Sequence, residues 1–205
     1  MSVTLAEAQS RIVAVGRWLD GKGWAPATAG NYSMRLDDGS FAVTVSGRRK
    51  GRLTAGDVMR VDAVGSSLDG QTPSAETALH LDLYAQFADC GAVLHSHSPE
   101  AVGLSRAFPY AHAYDLAGHE MLKALPGITT HNMSVALPIV DNSQDMTDIV
   151  TALVPVLREP RAIPAYLIRS HGLYGWGRNM EEAERVIEGI EWMIAAELAE
   201  RSFRG

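Results

Sequence analysis

The sequence predicts a layered α/β fold with a mixed sheet, on three observations. Short β-like runs alternate along the chain with stretches of helical periodicity. Two of the earliest runs are joined by residues suited to a hairpin, which a purely parallel sheet lacks. Of the 205 residues 46% are apolar and 20% charged, the balance of a chain that buries a core. No repeat, low-complexity tract or linker divides the sequence, so residues 1–205 are expected to form a single domain.

Thr4 followed by Glu7 has the form of a capping box, and Leu5, Ile12, Val15 and Leu19 then recur at roughly helical spacing until Gly21 and Gly23. The chain should open with an amphipathic helix. Residues 31–36 and 41–45 read as strands around Asp37, Asp38 and Gly39, a hairpin turn. A helix is expected over 74–87, leading into the apolar run 91–94 and then His95, Ser96 and His97 at the end of a strand. Ser98 and Pro99 supply an N-cap and a first-turn proline for a helix running toward Ala107. Strands at 135–140 and 165–168 flank a helix over 144–157. A last helix spans 180–201, with Asn179 as its cap and Glu181 and Glu182 at its positive end.

The net charge of -6 excludes general affinity for nucleic acid, which needs a basic face to displace counterions. A local basic turn exists at Arg48, Arg49, Lys50 and Arg52. Cys90 is the only cysteine, so there is neither a disulfide framework nor a cysteine-based zinc site, and it reads as a small buried residue of a reduced, intracellular protein. No signal peptide is evident and no window approaches the ~20 apolar residues of a membrane span. The expected location is the cytoplasm.

His95 and His97 are one residue apart, so on a strand both imidazoles face the same side and can share an ion. His171, after the apolar run 165–168 and before Gly172, also falls at a strand's end. Three histidines leave a fourth position open, the arrangement of catalytic rather than structural zinc. Of the other four histidines, His80 is expected on a helix face and His112 and His131 in loops, each in a surface or packing role, while His119 could orient its neighbour Glu120. A second constellation suits an anion. It comprises the small-residue turn at Ala29 and Gly30 with Asn31, a loop with Ser46, Gly47 and Lys50, and a helix opening at Pro73 and Ser74 that carries Glu76.

Taken together, Thr28-Ala29-Gly30-Asn31-Tyr32-Ser33, Ser46-Gly47 with Lys50, Pro73-Ser74-Ala75-Glu76, His95-Ser96-His97-Ser98 and His171-Gly172 resemble the class II aldolase and epimerase superfamily. The order and spacing fit across nearly the whole chain. Gly118-His119-Glu120-Met121-Leu122-Lys123 and Arg169-Ser170-His171-Gly172-Leu173-Tyr174-Gly175-Trp176-Gly177 are most similar to its dehydratases of methionine salvage. The resemblance implies a three-layer α/β/α domain with a largely antiparallel sheet, one zinc per subunit on His95, His97 and His171, and a homotetramer with active sites near subunit contacts. It further implies a ketose 1-phosphate substrate bearing a methylthio group, held at its phosphate by Asn31, Ser46, Gly47, Lys50 and Ser74. Elimination of the C4 hydroxyl after loss of the C3 proton would give a diketone phosphate. Glu120 is then the expected acid/base, and Glu76, which matches the glutamate that class II aldolases use near the metal, a helper. Two alternatives stay open: a sugar-phosphate aldolase or epimerase, and a non-catalytic interaction module of the adducin type.

Overall fold

A computed structural model describes residues 3–204. The elements in chain order are α1 (Leu5–Gly21), β1 (Asn31–Arg35), β2 (Phe41–Thr44), β3 (Val58–Val61), α2 (Thr77–Gln86), β4 (Ala92–Ser96) and α3 (Pro99–Ala107). They continue with β5 (Ala113–Ala117), β6 (Ser134–Val140), α4 (Met146–Val156), β7 (Ala165–Ile168), β8 (Gly172–Gly177) and α5 (Met180–Arg204). The eight strands form one sheet in the order β3-β2-β1-β4-β8-β7-β6-β5. Of the neighbouring pairs only β6 and β7 run parallel, so the sheet is mixed and largely antiparallel.

Alternation along the strands creates two cores, one on each face of the sheet. On β1, Tyr32 and Met34 join α1, α3 and α5 on one side; on β2, Phe41 and Val43 join α2 and α4 on the other. In β4, Ala92 and Leu94 belong to the first core and Val93 to the second. The α1/α3/α5 face is called the back and the α2/α4 face the front. Among the described residues no helix is long and apolar enough to cross a membrane.

Most expected elements are present, with instructive differences. Thr4 Oγ1 accepts the Glu7 amide as an N-cap should, but the Glu7 carboxylate bonds Arg11 (3.0 Å) one helical turn on. The helix expected from residue 74 starts at Thr77. Before it the chain makes a turn in which Ser74 Oγ accepts the Glu76 amide (3.3 Å) and the Ser74 carbonyl accepts that of Thr77 (3.0 Å), leaving Glu76 as N-cap. Ser98 caps α3 through the Ala101 amide, and Asn179 caps α5 through that of Glu182. Strands β3, β5 and β8 were not foreseen. β3 has four residues, β5 is an edge strand with mostly exposed side chains, and β8 carries three glycines, which depress strand propensity.

Candidate metal centre and anion cavity

The site lies on the front of the sheet, at the carboxyl ends of β4 and β7. His95 is the fourth residue of β4, His97 follows the strand, and His171 occupies the turn between β7 and β8. One nitrogen from each imidazole lies within 4.8 Å of those of the other two, and His95 Nε2 stands 3.4 Å from His171 Nε2. Two glycines permit this approach. A Cβ on Gly172 would sit 2.1 Å from the Ser96 carbonyl oxygen, and one on Gly30, whose φ is +84°, would sit 2.8 Å from that of His95.

The surroundings fix each ring. His95 Nδ1 lies 3.0 Å from the Leu173 carbonyl, so it carries the proton and leaves Nε2 free to face the cluster. The ring stacks on Tyr174, its register partner across β4 and β8, with centroids 3.9 Å apart. His171 Nδ1 is 3.3 Å from Asn142 Oδ1. Its turn is held by Arg169, whose guanidinium donates to the carbonyls of Ser105, Phe108 and Ala111 and to Asp141 (2.7–2.9 Å). Ser170, at φ 60°, is tied by its amide to Ser105 Oγ. The His97 amide donates to the Trp24 carbonyl (2.7 Å). Burial favours the neutral imidazoles: His95 is held well below its ordinary pKa, and His97 is lowered to about 4.

A cavity of about 410 Å³ opens beside the cluster. His97, His171 and Glu76 line it, together with Asn31, Ser46, Gly47, Lys50 and Ser74, so the proposed anion ligands and two of the three histidines share one space. The loops meet because Val45 pairs with Pro73 and the Ser46 amide donates to the Thr72 carbonyl (3.1 Å). Lys50 is almost fully buried. Its ammonium donates to the carbonyls of Thr28 (2.8 Å) and Arg48 (2.7 Å), which leaves one of three N–H groups for a ligand. Burial lowers its pKa to about 8. Arg48 instead pairs with Asp57 at the surface.

The two glutamates fare differently. Glu76 directs its carboxylate at the cluster, with Oε1 2.9 Å from His171 Nε2 and Oε2 3.8 Å from His95 Nε2, while Asn31 Nδ2 donates to Oε2. Burial works to raise its pKa, but the bond to His171 and that from the Asn31 amide together hold it well below the carboxylate range. Glu120 opens a short 3-10 helix, Glu120–Ala124, whose Leu122 belongs to the back core. Its carboxylate is exposed, pairs with Lys123 and with His131 Nδ1 (3.1 Å), and does not line the cavity of its own chain. His119 bonds Glu197 (3.0 Å) rather than Glu120.

Sequence reasoning missed several supporting residues. His80 lies on a helix as expected but is buried in a polar network rather than in a plain surface or packing role, and Glu191 of α5 takes the hydroxyls of Ser96 (2.7 Å) and Ser98 from behind β4. The spacing of Glu76, His80 and Tyr84 by four residues on one helix was the available signal for the first.

Residues 10–198 match the model of the Class II Aldolase and Adducin N-terminal domain. The chain belongs to the class II aldolase and adducin family. Its similar relatives include methylthioribulose-1-phosphate dehydratase of Azotobacter vinelandii, 44% identical over 206 residues and covering all of both chains. The protein of the same name from Pseudomonas paraeruginosa is 47% identical over 189 residues, 92% of each chain. Among solved structures, YgbL of Klebsiella pneumoniae, a putative aldolase/epimerase/decarboxylase, superposes with a TM-score of 0.83 at 25% identity, covering 97% of this chain and 91% of its own. L-fuculose-1-phosphate aldolase of Thermus thermophilus gives 0.79 at 26% identity, over 98% and 99%.

Proposed function

We propose that the protein is a zinc-dependent hydro-lyase of methionine salvage. It converts 5-methylthioribulose 1-phosphate to 2,3-diketo-5-methylthiopentyl 1-phosphate, in the cytoplasm, as a homotetramer with one zinc per subunit. One conjunction carries this reading: end-to-end similarity to relatives of that name, together with three imidazoles that open on an anion-lined cavity. The donor set suits zinc, since three imidazole nitrogens converge and each of two rings has its second nitrogen engaged elsewhere. Held by His95, His97 and His171, zinc supplies Lewis acidity toward the ketose carbonyl.

The chain's own residues do the rest. Asn31, Ser46, Gly47, Lys50 and Ser74 hold the phosphate and fix which carbons approach the histidines. A carboxylate takes the C3 proton; the C4–O bond breaks as that oxygen accepts a proton and leaves as water; the resulting enol becomes the diketone. Glu120 is assigned to the proton movements and Glu76 to a supporting role at the cluster. The Glu120 segment packs on the back of the sheet of its own chain, so this assignment requires that its exposed carboxylate reach the cavity of an adjoining copy in the tetramer.

A second reading, a sugar-phosphate aldolase, is favoured by the place of Glu76 beside His171. One experiment separates the two: zinc-loaded protein is incubated with 5-methylthioribulose 1-phosphate and the products are weighed by mass spectrometry. A single product lighter by one water is expected. Two fragments from carbon-carbon cleavage would establish the aldolase reading instead.

A further inference from the structure

Under Glu76 runs a buried chain of polar groups, supplied alternately by α2 and β1. Glu76, His80 and Tyr84 recur every four residues at one helix face, and Asn31 and Ser33 are two apart on one strand face, so the two series interlock. Asn31 Nδ2 donates to Glu76, and Asn31 Oδ1 meets His80 Nε2. His80 Nδ1 lies 2.7 Å from Ser33 Oγ, which lies 2.8 Å from Tyr84 Oη. Asn31, Ser33, His80 and Tyr84 are all buried.

The direction of every bond follows from its end. A carboxylate only accepts, so Asn31 must turn its NH₂ to Glu76 and its oxygen to His80. His80 Nε2 therefore carries the proton and Nδ1 is bare, so Ser33 donates to Nδ1 and Tyr84 donates to Ser33. The imidazole must be neutral for this to hold, and burial keeps it so by lowering its pKa to about 4. With His80 turned to the other tautomer, Asn31 Oδ1 would face a lone pair and the amide would lose its fixed orientation.

We propose that His80 is a positioning residue for Glu76: through Asn31, its Nε2–H holds the carboxylate against the histidine cluster. This rests on the reading above that Glu76 serves the reaction. Asn31 thus has two duties, lining the anion cavity and fixing Glu76, and only the second depends on His80.

Two substitutions divide the ring between them. In His80→Gln the amide nitrogen reaches the place of Nε2 and keeps the donor to Asn31. His80→Asn ends near the place of Nδ1 and loses it. Both variants give up part of the same buried chain, so a purely structural role predicts equal falls in Tm and equal kcat. The expected result is that His80→Gln keeps kcat within about threefold of wild type while His80→Asn loses about 10–100-fold, with zinc content unchanged, the range for partners that orient a site. In a Glu76→Gln background the His80→Asn change should cost little more. Equal kcat for the two His80 variants would overturn the positioning role while leaving the assignment of Glu76 intact. Glu76→Gln at the wild-type rate would sink the assignment of Glu76 itself, and any slowing by His80→Asn would then have to run by another route, which overturns the link to Glu76.

Discussion

Strand β4 has two sides, and their difference explains much of the molecule. On the front, His95 and His97 converge with His171 beside a cavity. On the back, Ser96 and Ser98 close on Glu191 of α5, a nearly fully buried carboxyl. Both sides bury ionisable groups, and burial disfavours charge on each, lowering the pKa of His95 and His97 and raising that of Glu191 to about 7. The outcomes differ because of what stands opposite. The front presents lone pairs to one another with room for a cation, while the back satisfies its carboxyl with two hydroxyls. The front is built to bind, the back to hold the His-x-His segment still.

The largest expected effect comes from emptying the front. With His95, His97 and His171 all replaced by alanine, metal content should fall from about one per chain to none and turnover should vanish, while circular dichroism retains the fold. Elemental analysis after dialysis decides the matter. Full occupancy in the triple variant would mean that the metal sits elsewhere and that the two sides of β4 do not differ as described.

Next in size are the glutamates, one on each side of the sheet. Glu120→Gln is expected to keep its metal and bind substrate but lose ~10²–10⁴-fold in kcat, the usual range for a general acid/base. Glu76→Gln should lose less. Because Glu120 is assigned to an adjoining copy, mixing Glu120→Gln chains with His95→Ala/His97→Ala chains should restore activity in hybrid oligomers, since some sites then combine an intact cluster with an intact Glu120. Absence of such complementation, or a dead Glu76→Gln beside an active Glu120→Gln, would return the proton chemistry to the front.

The front was more legible in the sequence than the back, for a physical reason. His95-x-His97 and the Ser46, Gly47, Lys50 loop advertise themselves because donor groups recur at strand or turn spacing. The helix over Pro99–Ala107 was legible to the residue because Ser98 and Pro99 encode its start locally. Glu191 was invisible, lying within a helix rich in glutamate, and only the packing of α5 on β4 distinguishes it from its exposed neighbours. Arg169 was likewise unreadable, since its four partners come from residues 28 to 64 positions away. β8 was lost to its glycines, although one of them, Gly172, lets the histidine turn approach β4.

The back yields a pH prediction. The ordinary glutamate pKa of 4.5 is raised to about 7 in the folded chain, chiefly by burial. Below pH 4.5 both states carry the proton and the group adds no slope. Between pH 4.5 and 7 the unfolded chain releases its proton while the folded chain keeps it, so stability falls as pH rises. The total is about 3 kcal/mol by pH 8. Glu191→Gln cannot titrate, so relative to wild type it should gain about that much between pH 4.5 and pH 8. Urea unfolding of both proteins across this range gives the difference, in which the titration of other groups cancels. A flat difference would mean that Glu191 is not closed off behind β4 as described.

The smallest effect is expected at the anion end of the front. Lys50 donates to the Thr28 and Arg48 carbonyls, so its ammonium is fixed at the cavity wall with one N–H to spare. A single charge-assisted bond is worth about 1.5–3 kcal/mol, and the low end applies where water can replace the lost donor, so Lys50→Ala should raise KM by roughly tenfold. Zinc content should be unchanged, and kcat should stay within about twofold, because the phosphate is remote from the atoms that react. Ser46→Ala, which removes a neutral donor, should raise KM by only about threefold. Inorganic phosphate should compete with substrate in the wild type and weaken as a competitor in Lys50→Ala by the same factor as KM. The lowered pKa of about 8 adds a signature: in the wild type, KM should rise as the pH passes 8 and the ammonium loses its proton, whereas in Lys50→Ala that rise should be absent. Steady-state kinetics at pH 7 and pH 9 check both points. If both variants keep the wild-type KM and the same sensitivity to phosphate, Lys50 only ties the Thr28 and Arg48 loops together, and the anion must be held by Asn31 and the Gly47 and Ser74 segments.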